Sequence, residues 1–264
     1  MKERYFKGDL LWGDDFTEEQ IIQWFEDEAE AYADQYGVES RGIYTAHNLN
    51  ILNGYNYLKK IDRFENVLGY GSSWGDEFLP IIDRIQNIYI VEASKKTRSK
   101  QIKNTAPVYL NVNEKGNIDL PNDFVDLITC FSTLHHIPNV TYVLNELFRV
   151  LKPGGFFLLR EPMHSMGDWT KKRPGLTKHE RGIPQAYLEN IIRNAGITIV
   201  QKHYFGFMGS FLDRLFNGAS FLHSRAFLRI DRYLSSVFSF NVHYHAKNKM
   251  QRVSPIGIAY VLRK

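Results

Sequence analysis

The segment NVLGYGSSWG, residues 66–75, carries an apolar run into a glycine-spaced turn and on toward a helical pattern. A strand that stops at Tyr70 and turns through Gly71, Ser72 and Ser73 brings bare backbone N–H groups against a ligand. A helix starting just beyond favours negative charge at its N-terminus. The next apolar run, IYIVEA at residues 88–93, ends in Glu92, the usual place for a carboxylate that accepts both hydroxyls of a ribose. A glycine pattern alone also fits an ordinary tight turn. A dinucleotide fingerprint needs its third glycine where this chain has Trp74, whose indole obstructs close helix packing, so NAD is disfavoured.

Residues 124–162 read FVDLITCFSTLHHIPNVTYVLNELFRVLKPGGFFLLREP. This stretch resembles the class I S-adenosylmethionine-dependent methyltransferases. In that family a fourth strand, here Val125 to Phe131, is followed by LHHI, an amphipathic helix, the turn LKPGG and a fifth strand. The resemblance runs from about residue 66 to about residue 201. The chain departs from the family at Gly69, normally acidic, and at Ser73, normally glycine. Through WGDDF from Trp12, GDEFLP from Gly75 and REPMHSMGDWT from Arg160, it also looks like the methyltransferases encoded among bacterial surface-polysaccharide genes.

What the resemblance implies is an α/β, Rossmann-like, doubly wound and mostly parallel sheet whose last strand is antiparallel. S-adenosyl-L-methionine is the implied cofactor. Gly69, Tyr70, Gly71 and Ser73 would approach its methionine portion and Glu92 its ribose. Phe131 and Ser132 would lie beside the sulfonium, and Asn117 with Ile118 near the adenine.

Composition bounds the reading. With 264 residues, 44% apolar and 23% charged, the chain can bury one large core, or a domain plus a cap. A net charge of +4 without a dense basic cluster gives no argument for nucleic acid. The one cysteine, Cys130, falls in a predicted buried strand, so no intramolecular disulfide can form and a reducing compartment is expected. The start MKERYFK lacks the apolar core of a signal peptide, and no run approaches the ~18 apolar residues of a membrane span. A cytoplasmic protein is expected.

Along the chain, Thr17 and Gln20 form a capping box, stapled by Phe16 and Ile21. The helix that follows should bury Ile21, Phe25, Ala29, Tyr32 and Tyr36 and leave its acidic face to solvent. With a second helix over 48–60 it makes an N-terminal helical cap, residues 1–62. The core, 63–205 with 253–264, alternates strands at 66–70, 88–92, near 108, at 125–131, 155–160, 197–202 and 254–263 with helices at 75–85, 94–104, 139–151 and 184–194. Pro80 should delay or kink the first of these helices.

Two insertions stand apart from the minimal core. Residues 163–183 lack periodicity and read as a long loop over the site, with His164, Asp168 and Trp169 as candidates for acceptor binding. Residues 206–252 form a helical lid: Phe211, Leu212, Leu215 and Phe216, then Phe227, Ile230, Tyr233, Leu234, Val237 and Phe238, fall at helical spacing. Arg214, Arg225, Arg229 and Arg232 flank those aromatics, which also suits contact with a membrane or a lipid-linked substrate.

Ligands in open parallel sheets sit beyond the carboxyl ends of the strands, which singles out His135, His136 and Glu161. A hydroxyl acceptor needs a base, and histidine titrates near neutrality. His136 is the expected base, His135 the alternative, and Glu161 the group that orients the histidine or takes the proton itself. His243 and His245 lack accompanying ligands, so no metal is expected. The sequence-level reading is methyl transfer to a hydroxyl of a small-molecule or glycan acceptor, such as a sugar of a polysaccharide precursor. Transfer to nitrogen or to a lipid or quinone, an NAD(P)-dependent oxidoreductase and a non-catalytic cofactor-binding scaffold are the alternatives. Oligomeric state is not readable.

Overall fold

The computed structural model describes residues 2–35, 44–111, 115–212 and 218–264; within them, nothing is said of the side chains of 29–35, 210, 211 and 218–220. Seven strands form one sheet: β1 Phe64–Tyr70, β2 Ile85–Val91, β3 Val108–Leu110, β4 Val125–Phe131, β5 Leu151–Pro162, β6 Thr198–Phe205 and β7 Gly257–Arg263. Their order is β3-β2-β1-β4-β5-β7-β6. The first five pair in parallel, and β7 runs antiparallel between β5 and β6. Strands covered on both faces read as nearly continuous apolar runs, which is why β1 and β4 were legible.

The helices are α1 Lys2–Lys7, α2 Glu18–Gln35, α3 His47–Asn50, α4 Val140–Val150, α5 Gln185–Asn194, α6 Gly209–Leu212 and α7 Arg225–Val237. On one face of the sheet, α4 buries Val140, Val143, Leu144 and Leu147 at spacings of three and four, and α5 buries Leu188, Ile191 and Ile192. On the other face Tyr55, Leu58, Phe78 and Ile82 pack on Leu127, Leu158 and Val261. The capping box forms: the Thr17 N–H donates to Gln20 Oε1 at 3.0 Å and the Gln20 N–H to Thr17 Oγ1 at 3.5 Å.

Several elements differ from expectation. Residues 75–85 make two 3-10 turns, Asp76–Phe78 and Ile82–Arg84. Gly75 is left-handed at φ 77° and Pro80 offers no N–H, so no continuous α-helix spans them. Residues 94–104 make only the 3-10 turn Lys95–Thr97. The stretch KKTRSKQIK carries five cations and one apolar residue, so a helix there would gather like charge and have no stripe to bury. The helix expected over 48–60 is α3, which passes into a π-turn at Ile51–Tyr55 where Gly54 lies against Leu158. The glycines before the fifth strand bulge out within β5, where the pairing register jumps from Val125–Leu151 to Leu127–Phe156.

Residues 163–183 contain no helix or strand. In the second insertion α7 is the main helix, while Arg214, Leu215, Phe216 and, for its side chain, Phe211 fall outside the described residues, as do Tyr36 and the side chains of Ala29 and Tyr32. Among the described residues no helix is long and apolar enough to cross a membrane.

Candidate functional site

The carboxyl ends of β1, β2 and β4 open into a cleft, the place where open parallel sheets bind their ligands. From β1 come Tyr70 and Gly71; from β2, Val91 and Glu92, followed by Ala93 and Ser94; from the loop after β4, Ser132, Thr133, His136 and Ile137; and from α2, Phe25 and Glu28. Gly71 has φ 69°, and a Cβ there would lie 2.2 Å from Thr133 Cγ2, so bare backbone is the only occupant that fits.

Glu92 holds the glycine turn and the end of β2 together. Its Oε2 accepts the Ser73 N–H at 2.9 Å and its Oε1 the Ser94 N–H at 3.0 Å. Ser73 itself is left-handed at φ 45°. Burial pushes the Glu92 carboxyl up, against the lowering effect of those two N–H groups. Carboxylate, bare turn and the apolar walls from Phe25, Val91 and Ile137 form a donor set that fits a ribose, a flat base and a charged chain.

A second carboxylate, not among the expected site residues, lies behind the turn. Glu77 is buried and accepts the Ser72 hydroxyl at 2.9 Å, and Thr129 Oγ1 bonds the same oxygen. Gly69 makes room, since a Cβ there would come within 2.2 Å of Ser72 Oγ. Gly69 is thus a packing position inside β1 and does not line the cleft. Burial raises the Glu77 carboxyl from 4.5 to about 7, partly offset by the two hydroxyls.

A folded-state value above the unfolded one means that the folded chain keeps a proton the unfolded chain has lost. The stabilisation is therefore full below the ordinary carboxylate value and falls as pH rises toward about 7. Glu77→Gln is expected to match the parent in denaturant unfolding near pH 4 and exceed it by on the order of 3 kcal/mol at about pH 8. A constant difference across that range would refute the assignment.

The two histidines part company. His135 is buried; its Nδ1 lies 2.8 Å from Glu161 Oε2, and burial holds it below its ordinary value despite that carboxylate. Glu161 also accepts the N–H groups of Thr133 at 2.9 Å, Leu134 at 2.8 Å and His135 at 3.3 Å. It therefore shapes the loop after β4 and orients His135, not His136. Glu161→Ala leaves these donors without an acceptor, and equilibrium unfolding should show a loss of about 3 kcal/mol; a loss below ~1 kcal/mol would contradict this role.

His136 lines the cleft, and its Nδ1 lies 3.0 Å from Oε2 of Glu28. Glu28 is buried and also accepts the Thr177 hydroxyl at 2.7 Å and the His179 N–H at 3.0 Å. Burial pushes its carboxyl up, but hydrogen bonds from His136, Thr177 and His179 outweigh this and leave it below the ordinary value.

The acidic side of α2 is thus not simply solvated: Glu28 is enclosed, and Asp27 pairs with Lys178 at 2.6 Å and His179 at 2.7 Å. The missed signal was helical spacing, since Ile21, Trp24, Phe25 and Glu28 share the inward face. Trp24 donates to the His136 carbonyl at 2.7 Å and lies 5.2 Å from the Arg181 guanidinium. Arg181, fully buried, donates to the carbonyls of Trp12, Leu134, His135, Ile137 and Pro138. Nothing in the sequence pattern announced it.

Other candidates lie elsewhere. Phe131 turns to the opposite face, under the guanidinium of Arg160 and beside Tyr55. Asn117 is exposed and accepts the Tyr142 hydroxyl, while Ile118 joins the core; neither lines the cleft. His164 bonds the carbonyls of His243 and Pro255, Asp168 pairs with Lys2 at 3.0 Å, and Trp169 is buried and stacked on Phe6. These three bind the first insertion to α1 and to residues 243–255.

Among the described residues, one donor atom each of His135, His136 and Glu180 lie within 4.8 Å of one another. That donor set would suit a divalent cation. Both Nδ1 atoms already face carboxylates, however, and Arg173 supplies positive charge beside Glu180 and Glu28.

The strand order, the single antiparallel strand and a cleft at the Gly71–Glu92 end define the Rossmann-like fold of methyltransferases. Residues 68–159 match the family profile described as a methyltransferase domain. Over 84 residues, 32% of this chain, the sequence is 29% identical to a protein of Mycolicibacterium smegmatis named a probable S-adenosylmethionine-dependent methyltransferase. That alignment spans about a third, 33%, of the relative's length. Among solved structures, an S-adenosylmethionine-dependent methyltransferase from Mesorhizobium loti superposes with a TM-score of 0.52 at 16% identity, covering 80% of this chain and 95% of that one. The (4+2)-cyclase SpnF superposes with a TM-score of 0.56 at 16% identity, covering 94% and 96%. At such identities these structures establish the fold.

Proposed function

We propose that this chain is an S-adenosylmethionine-dependent methyltransferase acting on a hydroxyl of a small-molecule or glycan acceptor, such as a sugar of a polysaccharide precursor, with His136 as the base. The observation that carries this reading is a histidine on the wall of the cleft at the strand ends, its Nδ1 held by a buried carboxylate at 3.0 Å. The methyltransferase-domain match and the name of the relative support the choice of cofactor.

When bound, the cofactor supplies an electrophilic methyl group. Glu92, which keeps Ser73 and Ser94 in place, would accept from the ribose hydroxyls, and Phe25, Val91 and Ile137 would shield the base from water. With Nδ1–H donated to Glu28, His136 would take the proton of an acceptor hydroxyl at Nε2 and so raise the nucleophilicity of that oxygen. Glu28 fixes that tautomer and balances the imidazolium that forms.

The test is incubation with S-adenosylmethionine labelled in the methyl group and a panel of sugars, nucleotide-activated sugars, phenols and amines, read by mass spectrometry. Label on an oxygen, lost in His136→Ala, supports the reading. Label appearing only on nitrogen, with His136→Ala fully active, overturns both acceptor and base.

A further inference from the structure

Helix α7 is amphipathic in an unusual sense, because both of its faces carry apolar residues. The inner face buries Leu228, with Phe227 packed beside Leu49, Phe205 and Leu222. On the outer face Ile230, Tyr233 and Val237, spaced by three and four, form one stripe, with Tyr233 70% exposed. The 3-10 turn Phe238–Asn241 extends it: Phe238 stacks inward on Phe207, while Phe240 is 80% exposed. Asn241 donates to the carbonyls of Met250 and Val253, which brings a second segment alongside. Met250, 77% exposed, and Val253 are both uncovered, giving a patch assembled from two parts of the second insertion.

The charge carried by the two segments that form the patch has one sign. From Gly218 to Lys264 the only acidic residue is Asp231. It is buried, and it accepts the N–H groups of Gly206 and Met208 at 2.7 Å each. Exposed cations surround the apolar stripe: Arg229 on α7, and Lys247, Lys249 and Arg252 on the neighbouring segment. Single exposed apolar residues need no explanation, but a contiguous patch rimmed by polar groups marks an interaction surface. Exposed aromatics among lysines and arginines complement anionic headgroups over shallow hydrocarbon, with Glu3 of α1 as an exposed carboxylate facing Lys247.

We infer that the outer face of α7, with residues 240–253, is a docking surface for an anionic lipid bilayer. The apolar stripe enters the headgroup boundary while the cations remain level with the phosphates. The inference does not depend on the acceptor or the base proposed above.

Flotation of the full chain with vesicles tests it, comparing phosphatidylcholine alone with an equimolar mixture of phosphatidylcholine and phosphatidylglycerol. Binding is expected to the mixed vesicles, weakened by high salt, and to drop roughly tenfold in Tyr233→Ser/Phe240→Ser. Both side chains are exposed, so an unchanged circular dichroism spectrum and melting temperature certify that the variant folds. Equal partition onto neutral and anionic vesicles, no partition at low salt, or full binding by the variant would each overturn the inference. So would a dimer in light scattering that the double variant abolishes, which assigns the face to a second copy of the chain.

Discussion

Glu92→Ala is expected to weaken S-adenosylmethionine and S-adenosylhomocysteine binding at least about a hundredfold, corresponding to ~3 kcal/mol. Two losses combine. A carboxylate that accepts a pair of ribose hydroxyls makes charge-assisted hydrogen bonds, each worth roughly 1.5–3 kcal/mol. The same carboxylate also holds the N–H groups of Ser73 and Ser94, so its removal frees the turn whose left-handed Ser73 is disfavoured without an external hold. Glu92→Gln separates the two effects. The amide keeps one acceptor and the side-chain length, so stability should recover more than affinity does. Calorimetric titration of wild type and both variants gives the answer, with NADH as the control ligand. Affinity for S-adenosylmethionine within about threefold of wild type in Glu92→Ala would mean that the cofactor lies elsewhere. Binding of NADH alone would remove the methyltransferase reading.

The position of Gly71 and Glu92 beside one cleft could be read in the sequence because it is a local consequence of chain geometry: a strand end, a turn too tight for a Cβ, an acidic residue closing the next apolar run. The strands were legible for the same reason. Elements that depend on what covers them were not. Residues 94–104 were expected as a helix from their place between two strands, although KKTRSKQIK offers no apolar stripe for the sheet to cover. Strand direction was a second limit, since side chains alternate between faces and a one-residue choice sends Phe131 and Arg160 to one side of the sheet and Cys130 and Glu161 to the other. Sequence spacing finds the pair but not which face meets the ligand. Glu28 was harder still, because its partner lies 108 residues downstream and meets it only when α2 crosses the loop after β4. Fold similarity also leaves the chemistry open, since a cyclase superposes on this chain as well as a methyltransferase does. The reaction must therefore be argued from His136 and its surroundings.

His136 carries the other large expected effect. His136→Ala should lower kcat about 10²- to 10⁴-fold, the range for loss of a positioned general base, while the dissociation constant for S-adenosylhomocysteine stays near wild type. Glu28→Gln should also lower kcat, by roughly tenfold to a hundredfold. Its amide can present an N–H to His136 Nδ1, favouring the tautomer with the proton on Nε2, where it cannot accept one from the acceptor. The double variant should be little worse than His136→Ala, because a base and the group that orients it act as a unit. A merely structural Glu28 gives a different pattern. It also holds Thr177 and the His179 N–H, so a structural loss would loosen residues 163–183, raise the acceptor KM and lower the melting temperature, with kcat spared. In the catalytic case kcat falls in both single variants and the losses fail to add. Additive losses would place the base outside this pair.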